Sequence, residues 1–404
     1  MGRNIVYKRS RRKAAYLSLL GTTQLHLRNP WIVAWWSCAF PGFGHLLLSK
    51  YLRGFVLIGW ELLINSQAGI NEAMVYSFTG QFDLVKQVLD VRWMSLYAPV
   101  YLFAIYDSYR TTIDLNHVYM LANREKSYLS NFKIGAMEIN YLDKRTPWLS
   151  LVWSMLMPGM GQLYIHRIVT AFYVLSGWIW ISYVSRLLEG FQFTWMGEFD
   201  KAAHIVNPEW LLFLPSLYGF AVYDAYTNTV ENNKLFDKEQ KRFLITNYQE
   251  RKDEGMRIIS SFDHSNYLEL ALSALEACGI EKNQILAVPL NKRAEKPKMF
   301  DTMHRSDGVS LLDTAMVCAT VFTVVFSSVG FIWKWGPIIW GLIGAMAGFI
   351  VGLIIDLIFK RKQPRPIKGK STEVFVMVEC KEHQLETVEH ILWKHMAFGV
   401  AIIR

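Results

Sequence analysis

The sequence predicts an α-helical integral membrane protein that carries a small α+β domain on its cytosolic side. Three observations support this prediction: long apolar blocks, one such block that occurs twice, and a change of character in the last third of the chain. Of the 404 residues, 52% are hydrophobic and only 19% are charged. Several blocks are nearly uncharged over the ~20 residues that a helix needs to cross a bilayer.

The apolar block at residues 29–65 recurs at residues 146–182. The Pro-Gly pair that begins at Pro41 returns at Pro158, 117 residues later, and a Tyr-Asp pair follows each copy. Self-similarity at a fixed spacing indicates an internal repeat, with membrane repeats at residues 29–112 and 146–228. The two Tyr-Asp pairs are Tyr106-Asp107 and Tyr223-Asp224.

The distribution of basic residues predicts the topology. Residues 1–28 form a basic terminus with seven Lys/Arg and no Asp/Glu. Cytosolic linkers are predicted at residues 113–145 and 229–255, the second as a charged helix. Because basic flanks stay in the cytoplasm, both chain termini are expected on the cytoplasmic side of a bacterial inner membrane.

The Pro-Gly break leaves two topologies open for the first helix of each repeat. Proline removes a backbone donor and glycine permits a sharp bend, so this helix either re-enters the membrane or crosses it. The re-entrant alternative places every basic segment inside, and each repeat then contributes two full spans. These spans are expected near residues 53–68, 94–112, 169–187 and 209–227.

The last third reads as strand-helix-strand, an interruption, and strand-helix-strand again, at residues 256–290 and 373–404. This is the split pattern of a ferredoxin-like domain. The interruption at residues 311–359 is predicted to be a transmembrane hairpin. Small residues at a four-residue spacing form a glycine zipper that allows close helix approach, either within the hairpin or with a second copy or another membrane protein. The glycines are Gly344, Gly348 and Gly352.

The two Pro-Gly-x-Gly-(His/Gln)-Leu blocks resemble the bacterial TM2-domain-like membrane repeats of the PGxGQ kind. The blocks are Pro41–Leu46 and Pro158–Leu163. The second keeps the usual glutamine at Gln162, whereas the first has His45 in its place. The resemblance implies an architecture and brings no activity with it.

Polar residues inside the apolar blocks are the candidate functional residues. Asp107 and Asp224 are either structural clamps for the Pro-Gly breaks or an ion or proton site, since ionisable groups in membrane segments are often functional. The adjacent Tyr106 and Tyr223 can join either role. Glu61 has an apolar counterpart in the second repeat, so it marks either asymmetric function or a position at the outer interface.

No catalytic, cofactor-binding or metal motif is evident, and nothing suggests nucleic-acid binding. The expected function is therefore a non-enzymatic scaffold, regulatory or assembly component in the lipid bilayer. Its ferredoxin-like domain would sense, dock or oligomerise. The alternative is a small permease or channel that uses Asp107 and Asp224 at the repeat interface. Asp301, His304 and Asp307 are spaced three residues apart, as ligands on one helix face would be, but Ser306-Asp307-Gly308 is typical of a turn, so a metal site is not the expected interpretation.

Overall fold

The computed structural model describes residues 12–125, 132–248, 256–290, 312–360 and 374–403. These residues are mostly helical, with two helices apolar and long enough to cross a membrane and a small four-stranded sheet. The chain divides into two compact units. The first contains the described residues of Met1–Asn140, Thr146–Val230 and Lys298–Lys362, and the second those of Tyr141–Arg145, Glu231–Pro297 and Gln363–Arg404.

The first segment of the chain, residues 12–125, contains a β-hairpin followed by six helices. The last of these helices is 35 residues long and contains Pro99. The elements are β1 (Ala15–Ser18), β2 (Gly21–Gln24), α1 (Pro30–Ala39), α2 (Phe43–Leu47), α3 (Tyr51–Ala68), α4 (Ile70–Phe78), α5 (Phe82–Val88) and α6 (Val91–Glu125).

The second segment, residues 132–247, has the same order of elements. Its hairpin and each helix up to α12 begin 117 residues after the corresponding element of the first segment. The elements are β3 (Phe132–Ile134), β4 (Ile139–Tyr141), α7 (Pro147–Leu156), α8 (Met160–Tyr164), α9 (Ile168–Val184), α10 (Leu187–Trp195), α11 (Phe199–Ile205), α12 (Pro208–Leu211) and α13 (Phe213–Asn247).

The Pro-Gly sequence separates two short helices in each segment. The first helix begins after Asn29, whose side chain accepts the backbone N–H of Trp31, and Pro30 occupies the first helical position, where no donor is lost. The helix ends at the Pro-Gly pair, because Gly42 has φ of 104°. Gly159 has φ of 101° at the corresponding place. Both values lie where only glycine is unstrained.

The boundaries predicted from sequence do not coincide with the helix ends. Residues 113–145 were expected to be a linker, but α6 continues to Glu125 and the β3–β4 hairpin follows. Likewise, most of the expected span at 209–227 and the described start of the linker helix at 229–255 lie on the single helix α13. No helix-breaking residue separates the apolar and charged parts of either helix, so the change in composition does not end it.

Among the described residues, two helices meet the length and apolarity of a membrane span, and they are the ones predicted for the hairpin. They are α15 (Asp313–Gly330) and α16 (Gly336–Lys360), joined by a short turn. The number rises to five if each of three bent helix pairs counts as one span. The expected spans at 94–112, 169–187 and 209–227 lie in those pairs.

The expected span at 53–68 lies on α3, which is not among the helices that meet the criterion. The helix has the required length, but Arg53, Glu61 and Asn65 lower its mean hydropathy. Glu61 and Asn65 belong to a buried polar group, described below, whereas Arg53 is exposed and pairs with Asp107.

The glycines of α16 face the preceding helix of the same hairpin. A Cβ on Gly344 would meet the Phe322 carbonyl oxygen at 2.5 Å, and one on Gly348 would meet that of Cys318 at 2.4 Å. Gly352 lies as close to Thr314 and Ala315. The glycine face is therefore occupied within the chain. The exposed face of α16 carries Leu342, Met346, Ile350 and Ile354.

The second unit contains an antiparallel four-stranded sheet with two helices. Two strands and a helix lie in each of the ranges 256–290 and 374–403, as the sequence predicts, and the sheet order is β6-β7-β5-β8. One sheet face packs on α14 and α17 in a core that includes Ile258, Val376 and Leu272. Strands and helices are β5 (Met256–Phe262), α14 (Asn266–Ala277), β6 (Ile285–Pro289), β7 (Val374–Cys380), α17 (Leu385–Lys394) and β8 (Gly399–Ile403).

The end of α13 contributes Leu244 and Tyr248 to this second core. The Tyr248 hydroxyl donates to the Glu276 carboxylate. Burial, reinforced by this carboxylate, raises the pKa of Tyr248 above its usual range. The phenol therefore stays protonated at neutral pH and keeps its role as a donor.

Candidate functional site

In both segments, the candidate aspartate contacts the residue that follows the second glycine of the Pro-Gly-x-Gly break. Gly44 lies so close to α1 that an added Cβ would clash with the Ser37 hydroxyl. An added Cβ on Gly161 would clash with the Ser154 hydroxyl in the same way. This close approach lets the next residue, His45 or Gln162, reach the long helix that carries the aspartate.

In the first segment, Asp107 accepts from two side chains. Its Oδ2 lies 2.9 Å from Nε2 of the buried His45 and 2.6 Å from Nη1 of Arg53 on α3. The Asp107 side chain is 19% exposed and that of Arg53 is 49% exposed. An ion pair this open to solvent contributes little net stability.

In the second segment, the corresponding aspartate is completely enclosed. Nη1 of Arg167 lies 2.6 Å from Oδ1 and 2.7 Å from Oδ2 of Asp224. Gln162 Nε2 donates to Oδ2 at 3.2 Å, and Asn228 Nδ2 donates to Oδ1 at 2.7 Å. Both members of the ion pair are buried, at 4% and 0% exposure. The carboxylate therefore accepts from three side chains and has no contact with solvent.

The two aspartates pair with basic residues that do not occupy corresponding positions in the two segments. Arg167 corresponds to Lys50, 117 residues earlier, yet Asp107 pairs with Arg53, one helical turn further on. Lys50 is exposed. Arg167 also donates through Nη2 to the hydroxyl of Tyr51 at 3.2 Å, which joins the first segment to the second segment's ion pair.

The tyrosines next to the aspartates do not join the clusters. Tyr106 is 66% exposed. Tyr223 is buried, and its hydroxyl donates to Asp313 Oδ1 at 2.9 Å, which ties α13 to α15. Each tyrosine is the neighbour of an aspartate in the sequence. Successive residues of a helix point in directions about 100° apart, so the tyrosine side chain and the aspartate side chain lie on different sides of the helix.

A second pair of matched contacts was missed by sequence reasoning. Asn116 accepts from the backbone N–H of Arg28 at 3.0 Å and donates to its carbonyl at 2.9 Å. Asn233 makes the same two bonds with the backbone of Arg145, at 2.8 and 2.7 Å. The signal was available, because each asparagine follows its arginine by 88 residues. These contacts fix the chain where it enters the first helix of each segment.

Aromatic side chains fill the space between the two segments inside the first unit. Phe43 stacks on Phe220 with a ring-centroid separation of 4.3 Å, and Phe55 stacks on Tyr173 at 4.1 Å. Trp36, completely buried, lies 5.3 Å from the Tyr223 ring. These ring contacts join the two segments.

A shallow cleft of about 40 Å³ opens next to the Arg167–Asp224 pair. The β1–β2 hairpin covers it, because the Leu20 carbonyl accepts from the Ile168 N–H at 3.0 Å and His166 Nε2 lies 2.8 Å from the Leu19 carbonyl. Its volume accommodates one or a few water molecules. Tyr51 and Thr170 also line it.

Glu61 belongs to a separate buried polar group. Its carboxylate accepts from Asn65 Nδ2 at 2.7 Å and from the Tyr97 hydroxyl at 3.3 Å. Among the described residues, no three His, Cys, Asp or Glu side chains are arranged to hold a metal ion. The stretch with Asp301, His304 and Asp307 lies outside the described residues.

No protein-family model matches the chain, and neither a curated protein nor a solved structure matches it.

Proposed function

We propose that this protein is a non-enzymatic, multi-pass scaffold of the bacterial cytoplasmic membrane, built from two tandem TM2-like repeats. Its cytosolic ferredoxin-like domain acts as a sensing or docking module. The common spacing of 117 residues, from the hairpins to the aspartates, supports the repeat. The strand order β6-β7-β5-β8, with all neighbours antiparallel, supports the ferredoxin-like assignment.

The exposure of large apolar side chains supports a location in lipid. The outward face of α16 presents leucine, methionine and isoleucine at every fourth position. Trp195 and Trp31 are 86% and 71% exposed, which is typical of aromatic residues at a membrane–water interface. Partners, whether a second copy or another membrane protein, would use faces that the α16 glycines do not occupy.

One observation supports a scaffold rather than a transporter above all: Asp224 is completely buried and accepts from Arg167, Gln162 and Asn228. A carboxylate in a transport path must exchange its partners for the transported ion. Asp224 instead holds together α8, α13 and the residue before α9. It acts as a clamp, a side chain whose bonds fix neighbouring backbone.

Cysteine labelling in cells tests the topology. In a chain whose native cysteines are replaced by serine, we expect Asp83→Cys and Lys201→Cys to react with a membrane-impermeant maleimide added outside, because both side chains are highly exposed in the predicted outer loops. A chain that retains only the exposed Cys278 should react only after the membrane is permeabilised. Labelling of positions 83 and 201 only from the cytosolic side would contradict the proposal.

The first segment's cluster favours the permease or channel as a second candidate function. Asp107 and Arg53 are partly exposed, and His45 lies behind them as a group that can exchange a proton. Such an arrangement is compatible with a proton or ion site, unlike the enclosed Asp224.

A flux measurement separates the two functions. For a scaffold, proteoliposomes that contain a pH-sensitive dye should acidify no faster than liposomes without protein after a pH jump. For a permease, flux should appear, and Asp107→Asn should abolish it. Asp114→Asn serves as the matched control, because Asp114 is an exposed carboxylate on the same helix.

A further inference from the structure

A group of buried polar side chains lies where α3, α4, α6 and α12 meet, apart from both aspartate clusters. Glu61 and Asn65 come from α3, Asn71 from α4 and Glu209 from α12. All four side chains belong to residues that are more than nine-tenths buried. Two carboxylates are therefore held in one buried region of the first unit.

Hydrogen bonds from side-chain amides and one backbone N–H connect the residues of this region. Asn65 Nδ2 donates to Glu61 Oε1 at 2.7 Å and to Asn71 Oδ1 at 3.4 Å. Asn71 Nδ2 donates to the backbone carbonyl of Glu209 at 2.9 Å. The backbone N–H of Glu72 donates to Glu209 Oε2 at 2.8 Å. The network links residues from both segments of the chain.

Three acceptor oxygens in this network have no hydrogen-bond donor among the residues that the structure describes. They are Oε2 of Glu61, Oδ1 of Asn65 and Oε1 of Glu209, and all three are buried. Buried polar atoms in folded proteins are normally paired, so an unpaired group calls for a ligand or another explanation. In the described residues, neither glutamate makes a salt bridge with Lys, Arg or His, and the carboxylates of Glu61 and Glu72 both repel that of Glu209.

The chemistry of these oxygens identifies the class of ligand. Carboxylate and amide oxygens are the preferred donors of hard cations, and two carboxylates balance a divalent charge. Mg²⁺ keeps most of its water shell, whereas Ca²⁺ accepts irregular sets of protein oxygens. We propose that Glu61, Asn65 and Glu209 form a binding site for one Ca²⁺ ion, which bridges the two segments.

The site is present in only one of the two segments. The positions 117 residues after Glu61 and Asn65 carry Trp178 and Ser182, and the position 117 residues before Glu209 carries Arg92. The indole ring of Trp178 and the guanidinium group of Arg92 cannot replace the two carboxylates, and the Ser182 hydroxyl alone carries no charge. The stoichiometry should therefore be one ion per chain.

The site can be tested on the full-length chain purified in detergent and stripped with a chelator. Equilibrium dialysis against radioactive Ca²⁺ should give one bound ion per chain, and Mg²⁺ should compete at least tenfold more weakly than unlabelled Ca²⁺. Tb³⁺, a luminescent substitute for Ca²⁺, should show emission sensitised by Tyr97, which contacts Glu61, and by Trp60, which stacks on Tyr97 at 5.1 Å. Added Ca²⁺ should quench this emission.

Variants show whether the bound ion occupies this site. Glu61→Gln and Glu209→Gln should each weaken Ca²⁺ binding at least tenfold, whereas Asp83→Asn, at an exposed carboxylate on the nearby α5, should bind as the wild type does. If one glutamine variant does not fold, the other and the wild-type Tb³⁺ emission still decide the question. Absence of bound Ca²⁺ at millimolar concentration would overturn the proposal. A melting temperature that rises on acidification but not on addition of Ca²⁺ would also overturn it, and would assign protons to these carboxyls.

Discussion

Asp224→Asn is expected to lower the yield of folded protein severalfold, whereas Asp107→Asn should lower it only slightly. The first change leaves the Arg167 guanidinium buried without a counter-charge, and breaking a buried ion pair from one side costs about 3–5 kcal/mol. The second change removes one partner from the partly exposed Arg53, and exposed pairs contribute about 0–1 kcal/mol. Fluorescence-detected size-exclusion chromatography of detergent extracts, with a thermal melt, measures both.

A double variant separates the loss of a charge partner from the loss of packing. Arg167→Met combined with Asp224→Leu removes both charges and keeps apolar volume, so it should recover part of the yield that Asp224→Asn loses. Buried ion pairs are often replaced in this way without loss of stability. Equal yields for Asp107→Asn and Asp224→Asn, or no recovery in the double variant, would contradict the role of Asp224 as a clamp.

Much of the aspartate site is predictable from the sequence because the repeat spacing is preserved. Pro41, Asp107 and their counterparts 117 residues later lie beside the breaks as the pattern predicts. The pattern does not predict the choice of base. Lys50 and Arg167 correspond in sequence, but long side chains reach across a helical turn, so Arg53 pairs with Asp107 instead.

Contacts that join the two segments cannot be predicted from sequence patterns. Asn71 and Glu209 are 138 residues apart and occupy positions that do not correspond to each other. The composition of α3 marks Glu61 as unusual for an apolar helix, but only the folded arrangement shows the amides and second carboxylate around it. Helix bounds fail for a different reason: α6 and α13 continue through a change from apolar to charged residues, because both compositions favour helix.

The two aspartates differ in how far they are open to solvent. Asp224 is enclosed, and the Tyr51–Arg167 contact joins the first segment to its ion pair. Asp107 and Arg53 are partly exposed. We therefore expect substitutions at Asp107 to disturb the fold less than substitutions at Asp224.

Gly42→Ala and Gly159→Ala are expected to prevent folding or to lower the melting temperature strongly. A Cβ on Gly42 would meet the Gly54 carbonyl oxygen at 2.5 Å, and one on Gly159 would meet that of Ala171 at 2.8 Å. The positive φ adds about 1–2 kcal/mol of backbone strain, and overpacking adds about 1–3 kcal/mol.

Gly59→Ala and Gly177→Ala are the matched controls, because their Cβ atoms would meet nothing within 4 Å. Each control replaces glycine inside a helix and should be neutral or stabilising by about 0.5–1 kcal/mol. Similar melting temperatures for the two pairs would show that the breaks tolerate a helix-like backbone and do not depend on glycine.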